Sequence, residues 1–206
     1  MAITVVYIDG YNWYHAIFKH YPAWKWLDIQ RFFEAIRPDD QIASVKMFSA
    51  MMPGEHSIRQ KRYFDALGTL PKVSIVLGAF QERIVTCKAN GCRYAFYEEK
   101  KTDVNIAVHM MADAIGETCE RMCVVSGDSD LQPAIEWVSQ NTPVRVTVYI
   151  PALAQDQAGR RTDYYKTRGF PVECKFLPLE NLEDLQLPNV VHLQDGKLSI
   201  RPHTWA

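Results

Sequence analysis

The run Ile3 to Ile8, ITVVYI, constrains this chain more than any other segment. It is β-branched and aromatic almost throughout, and Asp9-Gly10 ends it. A strand with one face in water alternates apolar and polar residues. A strand without that alternation is covered on both faces, the condition of a parallel sheet held between helices. Met122 to Val125 repeats the form, and Ile42 to Ala50, Val73 to Ala79 and Val144 to Ile150 complete a set of candidate central strands.

Helical segments separate these strands. A short one is predicted over Asn12 to Lys19. Asp28 is placed to cap a helix through Arg37, which Pro38 stops. Glu55 to Leu67 is predicted helical, with Gly68 as its stop. Thr102 to Gly116 carries Ile106, Met110 and Ala114 along one apolar face, and Leu131 to Gln140 follows. Such alternation predicts an α/β fold with a mainly parallel central sheet and helices on both faces.

Two segments stand outside that pattern. Phe80 to Thr86 and Arg93 to Tyr97 flank Asn90-Gly91 and predict a β-hairpin insertion over about 80–98. After Pro178 the chain is polar and punctuated by prolines, with Asp195-Gly196 between alternating residues. The expected division is therefore a main domain over 1–177 and a C-terminal extension over 178–206 with a small hairpin. Arg160 to Thr167 is predicted helical and Glu173 to Phe176 a short strand.

The 206 residues carry a formal net charge of −1, so contact with nucleic acid has to come from a local patch. The first apolar run is too short for a signal peptide and ends in an acid, so a cytoplasmic protein is expected. The five cysteines, an odd number, do not suggest a disulfide framework. Cys87 and Cys92 flank a turn and resemble half of a zinc site, but a second pair at suitable spacing is not evident, and Cys123 reads as a buried strand residue.

Chemistry is expected where strands end. Asp9 follows the first strand, with Gly10 allowing a tight turn and Asn12 able to present an amide. Asp128 and Asp130 follow another strand within Ser126-Gly127-Asp128-Ser129-Asp130. Asp103 lies in the first turn of a helix, next to Thr102, a candidate N-cap. Each acid taken singly is explained by a turn or a cap. Their joint placement at strand–helix junctions favours a cluster whose mutual repulsion a cation relieves, and hard oxygen donors suit Mg²⁺ or Mn²⁺. Asp113, about 15 Å further along its helix, is expected in solvent.

The segments IDGYN (Ile8 to Asn12), EKKTDV (Glu99 to Val104) and SGDSD (Ser126 to Asp130) resemble the NYN domain, a family of the PIN-like nuclease superfamily. The likeness covers about Ile3 to Phe176, and the tail LPNVVHLQDGKLSIRPHTW is similar to an extension seen in some members. The resemblance implies a three-layer α/β/α fold and Mg²⁺- or Mn²⁺-dependent cleavage of RNA, as by an endoribonuclease. By position it implies Asp9, Asp103 and Asp128 as metal-binding acids, with Asn12, Ser126 and Asp130 as supporting polar residues.

The expected reaction is phosphodiester hydrolysis, with Asp9, Asp103, Asp128 and Asp130 as the catalytic set. Lys100 and Lys101 adjoin Asp103 and are expected to meet phosphate. Arg59 and Arg62 form one candidate cationic stretch, and Arg160 to Arg168, with Tyr164 and Tyr165, another. Such aromatics favour RNA with unpaired segments. Trp13, Trp24 and Trp26 are expected to pack, although a binding surface would also use them. Oligomeric state stays open, a homo-oligomer included. The competing readings are a non-catalytic RNA-binding or regulatory module and a metal-dependent phosphatase.

Overall fold

The computed structural model describes residues 1–54, 56–87, 91–152, 172–180 and 182–205. The expected helix at Arg160 to Thr167 and the cationic stretch Arg160 to Arg168 lie outside the described residues.

Six strands form the central sheet: β1 (Ala2–Asp9), β2 (Asp40–Ser49), β3 (Val73–Leu77), β6 (Arg121–Val125), β7 (Arg145–Ile150) and β8 (Glu173–Phe176). Their order is β3-β2-β1-β6-β7-β8, and every neighbouring pair is parallel. β1 lies centrally, and its last six residues are buried, as its unbroken apolar run requires. From β1 the chain first builds outward on one side through β2 and β3. It then returns to lay β6 on the other side of β1 and continues through β7 and β8. The order therefore reverses between β1 and β6, and in open α/β sheets ligands bind at the carboxyl ends beside such a reversal.

Helices cover both faces. On one face, α1 (Gly10–Trp13), α2 (Ile29–Ile36) and α3 (His56–Leu67) enclose a core that includes Trp13, Phe32, Phe33 and Trp26. Asp28 caps α2, its side chain accepting from the Arg31 amide at 2.9 Å. On the other face, α4 (Thr102–Ile115) and α5 (Gln132–Asn141) pack Ile106, Met110, Ile135 and Val138 against Val5, Tyr7, Val124 and Val148. The result is a three-layer α/β/α architecture. Trp13 and Trp26 are fully buried, while Trp24 is partly buried and stacks on Tyr21 with ring centroids 4.2 Å apart.

The hairpin insertion consists of β4 (Ala79–Thr86) and β5 (Arg93–Lys100), an antiparallel pair in register from Ala79↔Lys100 to Thr86↔Arg93. It is a separate two-stranded sheet. β9 (Val190–His192) and β10 (Leu198–Ile200) form another at the C-terminal end. Leu182, Leu187, Val191 and Trp205 from this last segment join the same core as α1 to α3. Trp26 donates its indole N–H to the Pro188 carbonyl at 2.8 Å, and Ser199 donates its hydroxyl to the Arg62 carbonyl at 2.6 Å.

Asp113 departs from the solvent position expected of it. It accepts from the Tyr7 hydroxyl at 2.5 Å and pairs with Lys46 of β2. Burial, with Asp113 beside it, pushes the Tyr7 phenol well above its usual range. The reason is helical phase: Asp113 lies three residues after Met110 and seven after Ile106, on the stripe that faces β1 and β2.

Candidate active site

Asp9 ends β1 at the sheet's reversal point and is buried. Both of its carboxylate oxygens are held. The Asn12 amide donates to Oδ1 at 2.9 Å, because Asp9 caps α1, and the Ser126 hydroxyl donates to Oδ2 at 2.8 Å. Gly10 makes the turn possible at close quarters, since a Cβ there would lie 2.8 Å from the Phe48 carbonyl of β2. Burial raises the Asp9 pKa to about 6. The two hydrogen bonds oppose the rise, and the charges of Asp103 and Asp128 add to it.

The loop after β6 is laced to the end of β1. The Gly127 amide donates to Asn12 Oδ1 at 3.0 Å, and the Asp128 amide donates to Ser126 Oγ at 3.0 Å. Asp128 in turn caps a single 3₁₀ turn, accepting from the Asp130 amide at 3.0 Å. Ser126 is thus a relay. It fixes Asp9 through its hydroxyl hydrogen and receives the backbone of Asp128 on its oxygen.

Asp103 arrives from the hairpin rather than from a strand of the central sheet. β5 runs as far as Lys100, and α4 begins directly after it. Lys101, with φ of 77°, is the left-handed residue that makes this sharp junction. Thr102 is therefore the first helical residue and not the cap, and its hydroxyl donates to Glu99 Oε1 at 2.6 Å. Gly78, between β3 and β4, lets the junction close, because a Cβ there would meet the Lys100 carbonyl at 2.6 Å and Thr102 Oγ1 at 2.8 Å. Burial raises the Asp103 pKa, helped by Asp128 and Asp130.

These residues line one pocket of about 360 Å³: Asp9, Asn12, Asp103 and Asp128, with Tyr11, Phe96, Tyr97, Glu98, Glu99, Lys101 and Thr102. Glu99 is the acid that sequence reasoning missed. Burial pushes its pKa up to about 7, with Asp9 and Asp103 adding to the rise and the Thr102 bond opposing it. An acid in a hairpin strand reads as solvent-facing, and the usable signal was its place two residues before Lys101-Thr102. Of the other expected residues, Lys100 pairs with Glu98 at 2.8 Å. Arg59 and Arg62 lie on α3 outside this pocket, where Arg59 donates to Thr204 Oγ1 at 3.4 Å and the Arg62 carbonyl receives Ser199.

Five acids and one lysine in a single pocket form a strongly negative field, and its carboxylate oxygens are the donors a hard divalent cation takes. Among the described residues, no three His, Cys, Asp or Glu side chains already form a set that could hold a metal ion. Asp103 and Asp128 are both partly exposed, whereas Asp9 is buried and held by two hydrogen bonds. Burial and like charge make the anionic cluster costly without such an ion. In this sense the donor chemistry fits the group.

The sequence profile of the NYN domain matches residues 3–167. The chain is also similar to 6-hydroxy-3-succinoylpyridine 3-monooxygenase HspA of Pseudomonas putida, at 27% identity over 98% of this chain and 75% of that protein. Its fold is similar to the crystal structure of a protein of unknown function from Vibrio parahaemolyticus, with a TM-score of 0.56 and 17% identity, over 90% of this chain and 96% of that one. Among the described residues, no helix is long and apolar enough to cross a membrane.

Proposed function

Because the chain belongs to the NYN domain family of the PIN-like superfamily, we propose that it is a metal-dependent ribonuclease that hydrolyses RNA phosphodiester bonds at the carboxyl edge of its sheet. The observation that carries the reading is the gathering of Asp9, Asp103, Asp128 and Glu99 around one pocket at the reversal of strand order.

Asp9, Asp103 and Asp128 would hold Mg²⁺ or Mn²⁺, which supplies Lewis-acid activation of water and neutralises charge at a phosphate oxygen. Asp9 is the rigid member, because two hydrogen bonds orient it. Asn12 and Ser126 position it and keep the β6 loop in place. Asp130 stands behind Asp128 and tunes Asp103 by its charge. Glu99, anchored through one oxygen by Thr102, keeps the other to accept or hold a proton near neutral pH. Lys101 is the pocket cation placed to meet a phosphate. RNA is the proposed partner, and the cytoplasm the proposed location.

The test is cleavage of RNA by purified protein with added Mn²⁺ or Mg²⁺. Asp9→Asn and Asp128→Asn should each abolish it while leaving the fold intact. A folded variant as active as wild type would reject the assignment.

The likeness to the pyridine monooxygenase favours a second reading, oxygenation of a small aromatic ring. Tyr11 and Tyr97 line the pocket and would offer aromatic surface to such a ring. Monooxygenation by O2 also consumes two electrons, so oxygen consumption that depends on both a hydroxypyridine and an added two-electron reductant, without cleavage of any RNA, would install this reading in place of the first.

A further inference from the structure

The hairpin does more than deliver Asp103. Strand pairing sets Phe80 opposite Glu99 and Glu82 opposite Tyr97, so Phe80, Tyr97 and Glu99 share one face of the hairpin. Tyr97 stands two residues before Glu99, about 7 Å along the strand by the rise per residue. Tyr11 comes from α1 to meet this face. Its ring lies 6.4 Å from Phe80, edge to face, and 4.3 Å from His15. Tyr11 is thereby braced, yet 42% of it stays exposed, as does 47% of Tyr97. Phe96, its neighbour in β5, contributes to the pocket lining but turns its ring to the opposite face, 6.2 Å from Tyr94.

Tyr11 and Tyr97 thus leave aromatic surface in water beside the acid cluster. The pocket thus has two chemistries side by side. One end is anionic oxygen with Lys101, suited to a cation and a phosphate. The other is flat and aromatic, suited to a planar ring. A nucleotide unit presents both, but its base can reach an aromatic wall only when it has left the helical stack.

We propose that Tyr11 and Tyr97 form a stacking slot for one unpaired nucleobase of single-stranded RNA, held next to the phosphate that the acids act on. The proposal rests on the nuclease reading above and names its substrate class. Stacking accepts any base, so the slot selects for strandedness and not for sequence. The hairpin then acts as the specificity element, and duplex RNA is a poor substrate because its bases stack on one another.

The experiment is a fluorescence titration of the full chain with a single-stranded oligoribonucleotide containing 2-aminopurine, in Ca²⁺, which takes the same oxygen ligands. The expected result is quenching on binding, with affinity about tenfold weaker for Tyr97→Ala and for Tyr11→Ala, near wild type for Tyr97→Phe, and weaker for the duplex and for an abasic strand. No binding by wild type, unchanged affinity in Tyr97→Ala, or duplex bound as tightly as single strand would each overturn the slot. A cleavage assay in Mn²⁺ separates the two levels. Ring-dependent quenching without cleavage of any RNA defeats the nuclease reading and leaves the slot. Cleavage by Tyr97→Ala with an unchanged KM defeats the slot and leaves the nuclease reading.

Discussion

The hydroxyl of Ser126 donates to Asp9 Oδ2 at 2.8 Å and so joins the ends of β6 and β1 where the strand order reverses. The bond is buried, and it is one of the two that keep the Asp9 pKa from rising further. A hydrogen bond to a charged group contributes about 1.5–3 kcal/mol, so Ser126→Ala should raise the Asp9 pKa by roughly one unit or more. Metal binding needs the carboxylate deprotonated. Affinity for Mn²⁺ at pH 6 should therefore fall about tenfold in Ser126→Ala, with a smaller deficit at pH 8. Calorimetric titration at the two pH values reads this directly, and an equal deficit at both would contradict the role given to Ser126.

The same burial predicts how the metal-free protein responds to pH. The Asp9 pKa is raised from 3.8 to about 6 on folding. The folded state thus binds this proton more tightly than the unfolded chain does. The favourable contribution is complete below pH 4 and is lost as the pH climbs through 6, on the order of 2–3 kcal/mol. Glu99, raised to about 7, extends the decline toward neutrality. Chemical denaturation in a chelator should show stability falling from pH 4 to pH 7. Asp9→Asn should flatten that slope and be the more stable protein at pH 8, although it is inactive. A wild-type protein whose stability rose across this window would refute the linkage.

Divalent ions should reverse that loss. A ligand that binds only the folded state stabilises by about 2.7 kcal/mol at a hundred times its Kd, or roughly 5–10 °C in Tm for a chain of this length. Mn²⁺ should raise the Tm of wild type, a chelator should cancel the rise, and Asp103→Asn or Asp128→Asn should show little of it. Equal shifts in all three proteins would mean that the ion binds elsewhere.

Gly78 ties the hairpin to the start of α4. With a Cβ at this position, the Lys100 carbonyl and Thr102 Oγ1 would be only 2.6 and 2.8 Å away. Backbone has to move to admit it, at a cost of about 1–3 kcal/mol. Gly78→Ala should therefore lower stability and also displace Thr102, Asp103 and the Glu99 they adjoin. The expected result is a fall in kcat larger than the stability loss alone would give at a temperature where the variant stays folded. Unchanged kcat in a destabilised protein would show that the α4 start does not position the site.

Much of this arrangement can be read in the chain before any coordinates, and the exceptions have physical causes. β1 and Asp9 are legible because a strand buried on both faces has no polar alternation to confuse it, and Asp28 is legible because a cap acts through its nearest neighbours. Glu99 is not, since its burial and the Asp9 charge that adds to its effect arise only when distant parts of the chain meet. Asp113 misleads for a different reason. Distance from Asp103 removes it from the site, but helical phase, which matters more, turns it toward Tyr7 and Lys46. The C-terminal segment hides its packing role because its buried residues, Leu182, Leu187 and Trp205, are spaced without a regular period.

Lys101 holds a left-handed backbone, φ 77°, at the position that turns β5 into α4, and it is the cation of the pocket. For a non-glycine residue that conformation costs about 1–2 kcal/mol, and strain of this kind persists where the surrounding structure enforces it. Two substitutions separate the backbone from the charge. Lys101→Gly relieves the strain and removes the charge, so it should raise stability by up to about 1 kcal/mol while raising KM for RNA. Lys101→Asn also tolerates the left-handed region and lacks the charge, and should show the same KM increase with less gain in stability. If the two differ from wild type in stability alone, Lys101 serves the turn and not the phosphate. If KM rises in both, and the gap closes at high salt because the wild-type KM climbs toward theirs, the lysine acts through its charge.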